Sequence, residues 1–377
     1  MNPITITTAR CRLLLVVALL FARPGIVSAQ ATASTHARKP ALYTKWINYT
    51  PANGFPEGEV YCVTTDGPRV WAGTSHGLVL LEAGRVKKLF TTDDGLSGRA
   101  VMSIAVDKQS GDVWVGTFGG LSHLSGGKFV NYTNLTSGLA NNLVYGVALQ
   151  EQFVWVATAA GVNRLDTRTG TWSIFNETNA PFEEPWAYGI SVGPKKVYFA
   201  VWGGGVLAYD LDTQVWKPYT DPDGEMELVL YRNQGLIHNI VSSVVYNPDT
   251  RMFWASTYFG LSGYDGRNWH NYLTKDSGLA SNFINAVQSR GNTVWASTQS
   301  GLSELDTTSN TWVTYSTNPH TGRGEILLTH ADGSKQRITT TTALAHSYIV
   351  NTDFQGEDIW VATAQGLSHG MRAHPKE

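Results

Sequence analysis

The chain has 377 residues, 38 of them Gly and 13 Trp, and its 28 Lys and Arg against 30 Asp and Glu leave a formal net charge of −2. That balance, with no basic patch and no long acidic run, argues against nucleic acid and anionic membrane as partners. Length alone suggests two domains, but a repeat running along the chain overrides it, and the Gly and Trp content suits many short strands joined by tight turns.

Residues 1–29 read as a secretory signal peptide. Arg10 and Arg12 precede an apolar run over 13–22, and small residues follow up to Val27, Ser28 and Ala29. The run is ten residues long, about half of what a membrane span needs, so no membrane span is expected. Cys11 lies ahead of the apolar run, which excludes a lipoprotein reading. Cleavage would remove Arg10, Arg12 and Arg23 and take the charge to −5. The mature chain is expected in the periplasm or secreted. Cys62 is then its one cysteine, so no internal disulfide forms, and it reads as a small buried residue of a strand. Residues 30–44 read as a flexible segment, 45–371 as the folded body and 372–377 as a C-terminal tail.

Seven copies of one phrase organise that body. They are V-W-A-G-T-S-H-G-L from Val70, V-W-V-G-T-F-G-G-L from Val113, V-W-V-A-T-A-A-G-V from Val154 and V-Y-F-A-V-W-G-G-G-V from Val197. F-W-A-S-T-Y-F-G-L from Phe253, V-W-A-S-T-Q-S-G-L from Val294 and I-W-V-A-T-A-Q-G-L from Ile359 complete the set. Their aromatics, Trp71, Trp114, Trp155, Tyr198, Trp254, Trp295 and Trp360, are spaced 43, 41, 43, 56, 41 and 65 residues apart. A period near 40–45 with four strands per unit marks a β-propeller. In the second copy we expect strand a over 101–107, b over 112–117, c over 120–124 and d over 128–132. No helical period appears in the mature chain.

Strand d reads K-L-F-T from Lys88, F-V-N-Y-T from Phe129, W-S-I-F-N from Trp172, W-K-P-Y-T from Trp216, W-H-N-Y-L from Trp269 and W-V-T-Y-S from Trp312. The seventh unit has none after Gly366. The missing copy stands at the other end, as W-I-N-Y-T from Trp46. The expected fold is therefore all-β: a seven-bladed β-propeller of four-stranded antiparallel blades, closed by an N-terminal strand that completes the last blade.

A second phrase links strand d to the next strand a: D-G-L-S-G-R-A-V from Asp94, S-G-L-A-N-N-L-V from Ser137, Q-G-L-I-H-N-I-V from Gln234 and S-G-L-A-S-N-F-I from Ser277. Its Gly permits a turn, and its Leu is expected to plug the gap between blades. Together the two phrases resemble the two-component regulator propeller repeat, from Trp46 to about Gly370. The resemblance implies an extracytoplasmic sensor module that binds glycans or other small ligands. Members usually adjoin a membrane histidine kinase. Here we expect a module working alone or with a separate signalling chain, as a monomer.

The b–c turns should ring the mouth of the central channel. They place His76, Phe118, Trp202, Tyr258, Phe259, Gln299 and Gln365 there, and the d–a connections add Trp186 and His238. These nine residues form the expected ligand site, since aromatic faces beside amides suit sugar rings. Two insertions, 220–234 and 318–342, lengthen d–a connections. The second reads as a hairpin with Asp332 and Gly333 at its tip.

No catalytic signature, cofactor motif or metal-ligand spacing is present. The carboxylates over 221–225 lack the rest of a Ca²⁺ loop, and no helix follows Gly203, Gly204 and Gly205 to make a phosphate loop. The leading expectation is an exported, non-enzymatic propeller that recognises a small molecule, a glycan, or a periplasmic or membrane protein. The alternative is a lyase or hydrolase using Glu183 or Glu184 with His238 at the mouth.

Overall fold

The computed structural model describes residues 41–224 and 232–373. The signal peptide expected over 1–29, most of the segment 30–44 and the end of the tail lie outside the described residues. Seven antiparallel sheets account for nearly all the regular structure described, with single 3-10 turns at Pro51–Asn53 and Thr92–Asp94. The fold is a seven-bladed β-propeller. No helix among the described residues is long and apolar enough to cross a membrane.

Blade 2 shows the unit. Strand a runs Val101–Val106, b Val113–Thr117, c Gly120–Ser125 and d Lys128–Tyr132, within a residue of the expected limits. The inner strands of the other blades are Val60–Asp66, Val144–Gln150, Ala187–Val192, Val241–Asn247, Ile284–Arg290 and Ile349–Gln355. Each lies beside the inner strands of its two neighbours, so the ring is complete.

Strand b is buried along nearly its whole length because both its faces meet other blades. Its aromatic crosses the joint to the next blade. Trp71 packs with Val101 and Ile104 of blade 2, Trp155 with Phe199 and Leu207 of blade 4, and Trp360 with Val60 and Val63 of blade 1. Each apolar cluster therefore spans two blades and holds the ring together at a joint.

The T-x-x-G of the repeat has a physical cause. The Thr74 hydroxyl donates to the Gly77 carbonyl at 2.9 Å and accepts the His76 N–H at 3.1 Å, which clamps the b–c turn. Thr117, Thr158, Thr257, Thr298 and Thr363 repeat the clamp. The Gly has positive φ, and a Cβ there would strike the carbonyl oxygen ending strand d. That approach would be 2.2 Å at Gly161 against Phe175 and 2.5 Å at Gly120 against Tyr132. No other residue fits.

The G-L phrase docks onto strand c. The Ser97, Ala140, Ile237, Ala280 and Ala345 N–H groups donate to Ser122, Asn163, Ser262, Ser303 and Ser368 at 2.9–3.0 Å. Leu96, Leu139, Leu236 and Leu279 are buried as the expected plugs, and Leu344 of the last blade is buried likewise. Cys62 is buried and reduced, and burial pushes its thiol up to about 12.

The last blade closes as expected. Leu42–Tyr49 pairs antiparallel with Gly366–Ala373, Tyr49 opposite Leu367 and Leu42 opposite Ala373. Both strands run slightly beyond the 45–371 limits, and Arg372, placed in the tail by sequence, lies inside the closing sheet. It pairs with the buried carboxylate of Glu304 in blade 6 and donates to the Ala41 carbonyl at 2.9 Å. Tyr315 donates its hydroxyl to the same Glu304 at 3.0 Å.

The second insertion does form a hairpin, Gly324–Thr329 with Lys335–Thr340, turning at Asp332 and Gly333. It adds a fifth and sixth strand to the outer edge of blade 6 through Thr311–Thr317. It thus lies on the rim of the ring and not over the mouth.

Candidate functional site

The mouth is built by a device repeated in every blade. The residue after strand b donates its N–H to the carbonyl just before strand a: Ser75 to Glu59, Phe118 to Ala100, Ala159 to Leu143 and Trp202 to Trp186. Tyr258 to Ile240, Gln299 to Phe283 and Ala364 to Tyr348 complete the ring. Just inside this bond each inner strand bulges. The register skips one residue, at Tyr61, Met102, Tyr145, Tyr188, Ser242, Asn285 and Val350. A bulge re-aims the extra side chain, and all seven of these residues are half-buried.

On each of blades 2 to 6 at least one of these positions, after strand b, at the bulge or just before strand a, is aromatic, and those rings touch in series. Phe118 meets Tyr145 edge-on at 5.5 Å, Tyr145 meets Tyr188 at 4.6 Å, and Tyr188 meets Trp202 at 5.4 Å. Trp202 stands edge-on to Tyr258 at 4.9 Å, and Tyr258 lies 3.8 Å from Phe283. The result is an arc of six rings. Burial raises the Tyr188 hydroxyl to about 12, so it stays a neutral donor and acceptor. Phe118 and Trp186 are 42% and 46% exposed.

Of the nine expected residues, Phe118, Trp202 and Tyr258 sit in the arc. Trp186 flanks it one hydrogen bond from Trp202. His76, Gln299 and Gln365 are exposed on blades 1, 6 and 7 and make the polar side of the mouth. His238 and Phe259 are not free faces. His238 is 4% exposed and stacks on the half-buried Phe259 at 4.2 Å. Tyr145, Tyr188 and Phe283 were missed by sequence reasoning. For Tyr145 and Tyr188 the signal lay in the second residue of the inner strand, which a strict in–out alternation assigns to the wrong face, and Phe283 stands just before its inner strand.

The fourth blade breaks the pattern. Val201 stands where six other blades have Thr, so the hydroxyl clamp is lost, and the turn is one residue longer. Trp202 occupies that opened turn. Beside it a cavity of about 320 Å³ lies between blades 4 and 5, lined by Glu184, Trp186, Trp202, Asp221, His238 and Asn239 among others. Asn239 accepts the Asp221 N–H at 2.7 Å and holds the start of the first insertion. No group of three or more His, Cys, Asp or Glu among the described residues is arranged to hold a metal.

Comparison with known proteins is informative for the fold. The extracellular domain assigned to the hybrid two component system BT3049 of B. thetaiotaomicron matches with a TM-score of 0.65 at 17% identity, over 89% of this chain and 42% of that one. The corresponding domain of BT4673, assigned to a one component system, matches at 0.61 and 17% identity, over 87% and 40%. Virginiamycin B lyase of Staphylococcus aureus matches at 0.59 and 13% identity, over 88% and 99%. The chain thus spans about two fifths of the BT3049 and BT4673 extracellular domains it matches. No protein-family model and no curated protein matches the sequence.

Asp221 carries a testable pH dependence. Burial, with Asp223 beside it, pushes its carboxyl from 3.8 up to about 7. A raised carboxyl favours the folded state while protonated, so its contribution is present below pH 3.8 and is lost as pH rises through about 7. Asp221→Asn keeps the protonated shape without that loss. Its melting temperature should gain on the wild type between those two pH values in a fluorimetric melt. A difference that stays constant with pH contradicts the assignment.

Proposed function

We propose that this chain is an exported, non-enzymatic recognition propeller of the two-component regulator type, binding a glycan through the aromatic arc at its mouth. It serves as a sensor or as the accessory of a separate membrane or periplasmic signalling protein. The observation that carries this reading is the unbroken series Phe118, Tyr145, Tyr188, Trp202, Tyr258 and Phe283. Such a surface offers several ring faces at low entropic cost, with phenol hydroxyls between them, which suits stacking on sugars. The repeat phrases, the leader-like residues 1–29 and the likeness to extracellular domains of two component and one component systems all support it.

The lyase or hydrolase alternative needs Glu183 or Glu184 on a histidine. Among the described residues neither pairs with His238, whose Nδ1 accepts the Ile240 N–H, nor with His76, whose Nδ1 faces the Ser75 hydroxyl.

An oligosaccharide array probed with the labelled chain from residue 30 tests the reading. A discrete set of saccharides should be retained. Trp202→Ala should weaken their binding by roughly tenfold or more, and Asn292→Ala on the opposite face should not. Equal retention by the Trp202 variant contradicts the assignment of the arc.

A further inference from the structure

The cavity between blades 4 and 5 differs in chemistry from the rest of the mouth. Two indoles, Trp186 and Trp202, stand in its wall beside the carboxyl groups of Glu184 and Asp221. No Lys or Arg among the described residues lines it. Asp221 is 9% exposed and His238 4% exposed, so two of its polar groups are held largely out of water.

The state of His238 follows from its bonds. Its Nδ1 accepts the Ile240 N–H at 2.9 Å, so in the neutral ring the proton sits on Nε2. Burial holds the imidazole below its ordinary value, against a smaller opposing pull from Asp223. The ring is therefore neutral near neutral pH and offers one N–H. His238 lines the cavity, so its Nε2–H can donate into that space.

We infer that this cavity takes an amino sugar, with its free ammonium group beside the Glu184 and Asp221 carboxyl groups, a ring oxygen or hydroxyl on His238 Nε2–H, and a sugar face on the indoles. Each element of the wall has a counterpart. A cation close to aromatic faces and carboxylates gains from both. An acceptor oxygen can take the Nε2–H of His238. The volume, about 320 Å³, lies at the small end of ligand pockets, suited to a single sugar unit. The inference rests on the reading of the mouth as a glycan surface and specifies which unit it selects.

The test compares a β-1,4-linked glucosamine tetramer with its fully N-acetylated form, by tryptophan fluorescence of the chain from residue 30 near neutral pH. Acetylation removes the charge and keeps the ring. The free amine form should bind at least roughly tenfold more tightly, and Asp221→Asn should abolish that preference without weakening the acetylated form. Glu184→Gln, at an exposed position, should reduce the preference if the Asp221 variant does not fold. Equal or tighter binding of the acetylated tetramer overturns the amino-sugar assignment and leaves the glycan reading standing. Binding of neither tetramer also overturns it, while the array with Trp202→Ala decides separately whether the mouth binds glycans at all.

Discussion

Deleting residues 46–50 is expected to open the ring and lower the melting temperature more than any single substitution at the mouth. Trp46 packs against Tyr43 and Tyr315 at ring distances of 5.9 and 6.1 Å, and Tyr49 stacks on Trp360 at 5.5 Å. The deletion removes two of these anchors, two joints lose packing, and Leu367 to Gly370 lose their strand partners and become an open edge. Trp46→Ala alone should cost about 3–5 kcal/mol. At about 2 °C per kcal/mol for a domain of this size, the melting temperature falls by roughly 6–10 °C. Calorimetry of the two variants checks this, with proteolysis at the chain ends as a second readout. An unchanged melt would mean that the N-terminal strand decorates blade 7 without closing it.

The second large effect is expected at the clasp between blades 6 and 7. Burial pushes the Glu304 carboxyl up, and Arg372 opposes that by pairing with it. The guanidinium also lies over the Tyr43 ring at 5.0 Å, so it ties the N-terminal strand, the last strand and blade 6 together. Arg372→Ala leaves a buried carboxylate without its cation, which costs about 3–5 kcal/mol. Arg372→Met combined with Glu304→Gln removes both charges while keeping an acceptor for the Tyr315 hydroxyl. The double variant should regain most of the loss in urea unfolding. If it is as unstable as Arg372→Ala, the residues contribute through packing and not as a pair.

These two regions also show what was legible in the chain. The closure could be read because strand d has its own phrase, and W-I-N-Y-T at Trp46 is a copy of it. Arg372 could not, because the repeat carries no information beyond the point where other blades turn from c to d. In blade 7 no such turn follows, so strand c continues to Ala373. The hairpin at 324–340 was recognisable from Asp332 and Gly333. Its place at the rim depended on whether Thr311–Thr317 kept a free edge, which is a tertiary matter. At the mouth the b–c turn residues could be read as the variable part of a fixed phrase. The bulged Tyr145 and Tyr188 could not, because a bulge reverses the alternation from which their face was inferred. His238 looked like a loop residue, but it is buried and stacks on Phe259. The clearest missed signal was Val201, the one repeat position where Thr is absent. The loss of its clamp coincides with the longer turn and the cavity.

The most direct test of the mouth as the recognition surface is hydrogen exchange of the chain with and without an oligosaccharide retained on the array. The account predicts slowed exchange at the b–c turns 118–119, 202–204 and 258–259 and at the residues preceding the inner strands, with the hairpin 324–340 unchanged. Slowing confined to that hairpin or to the outer strands, with the turns unaffected, would contradict it.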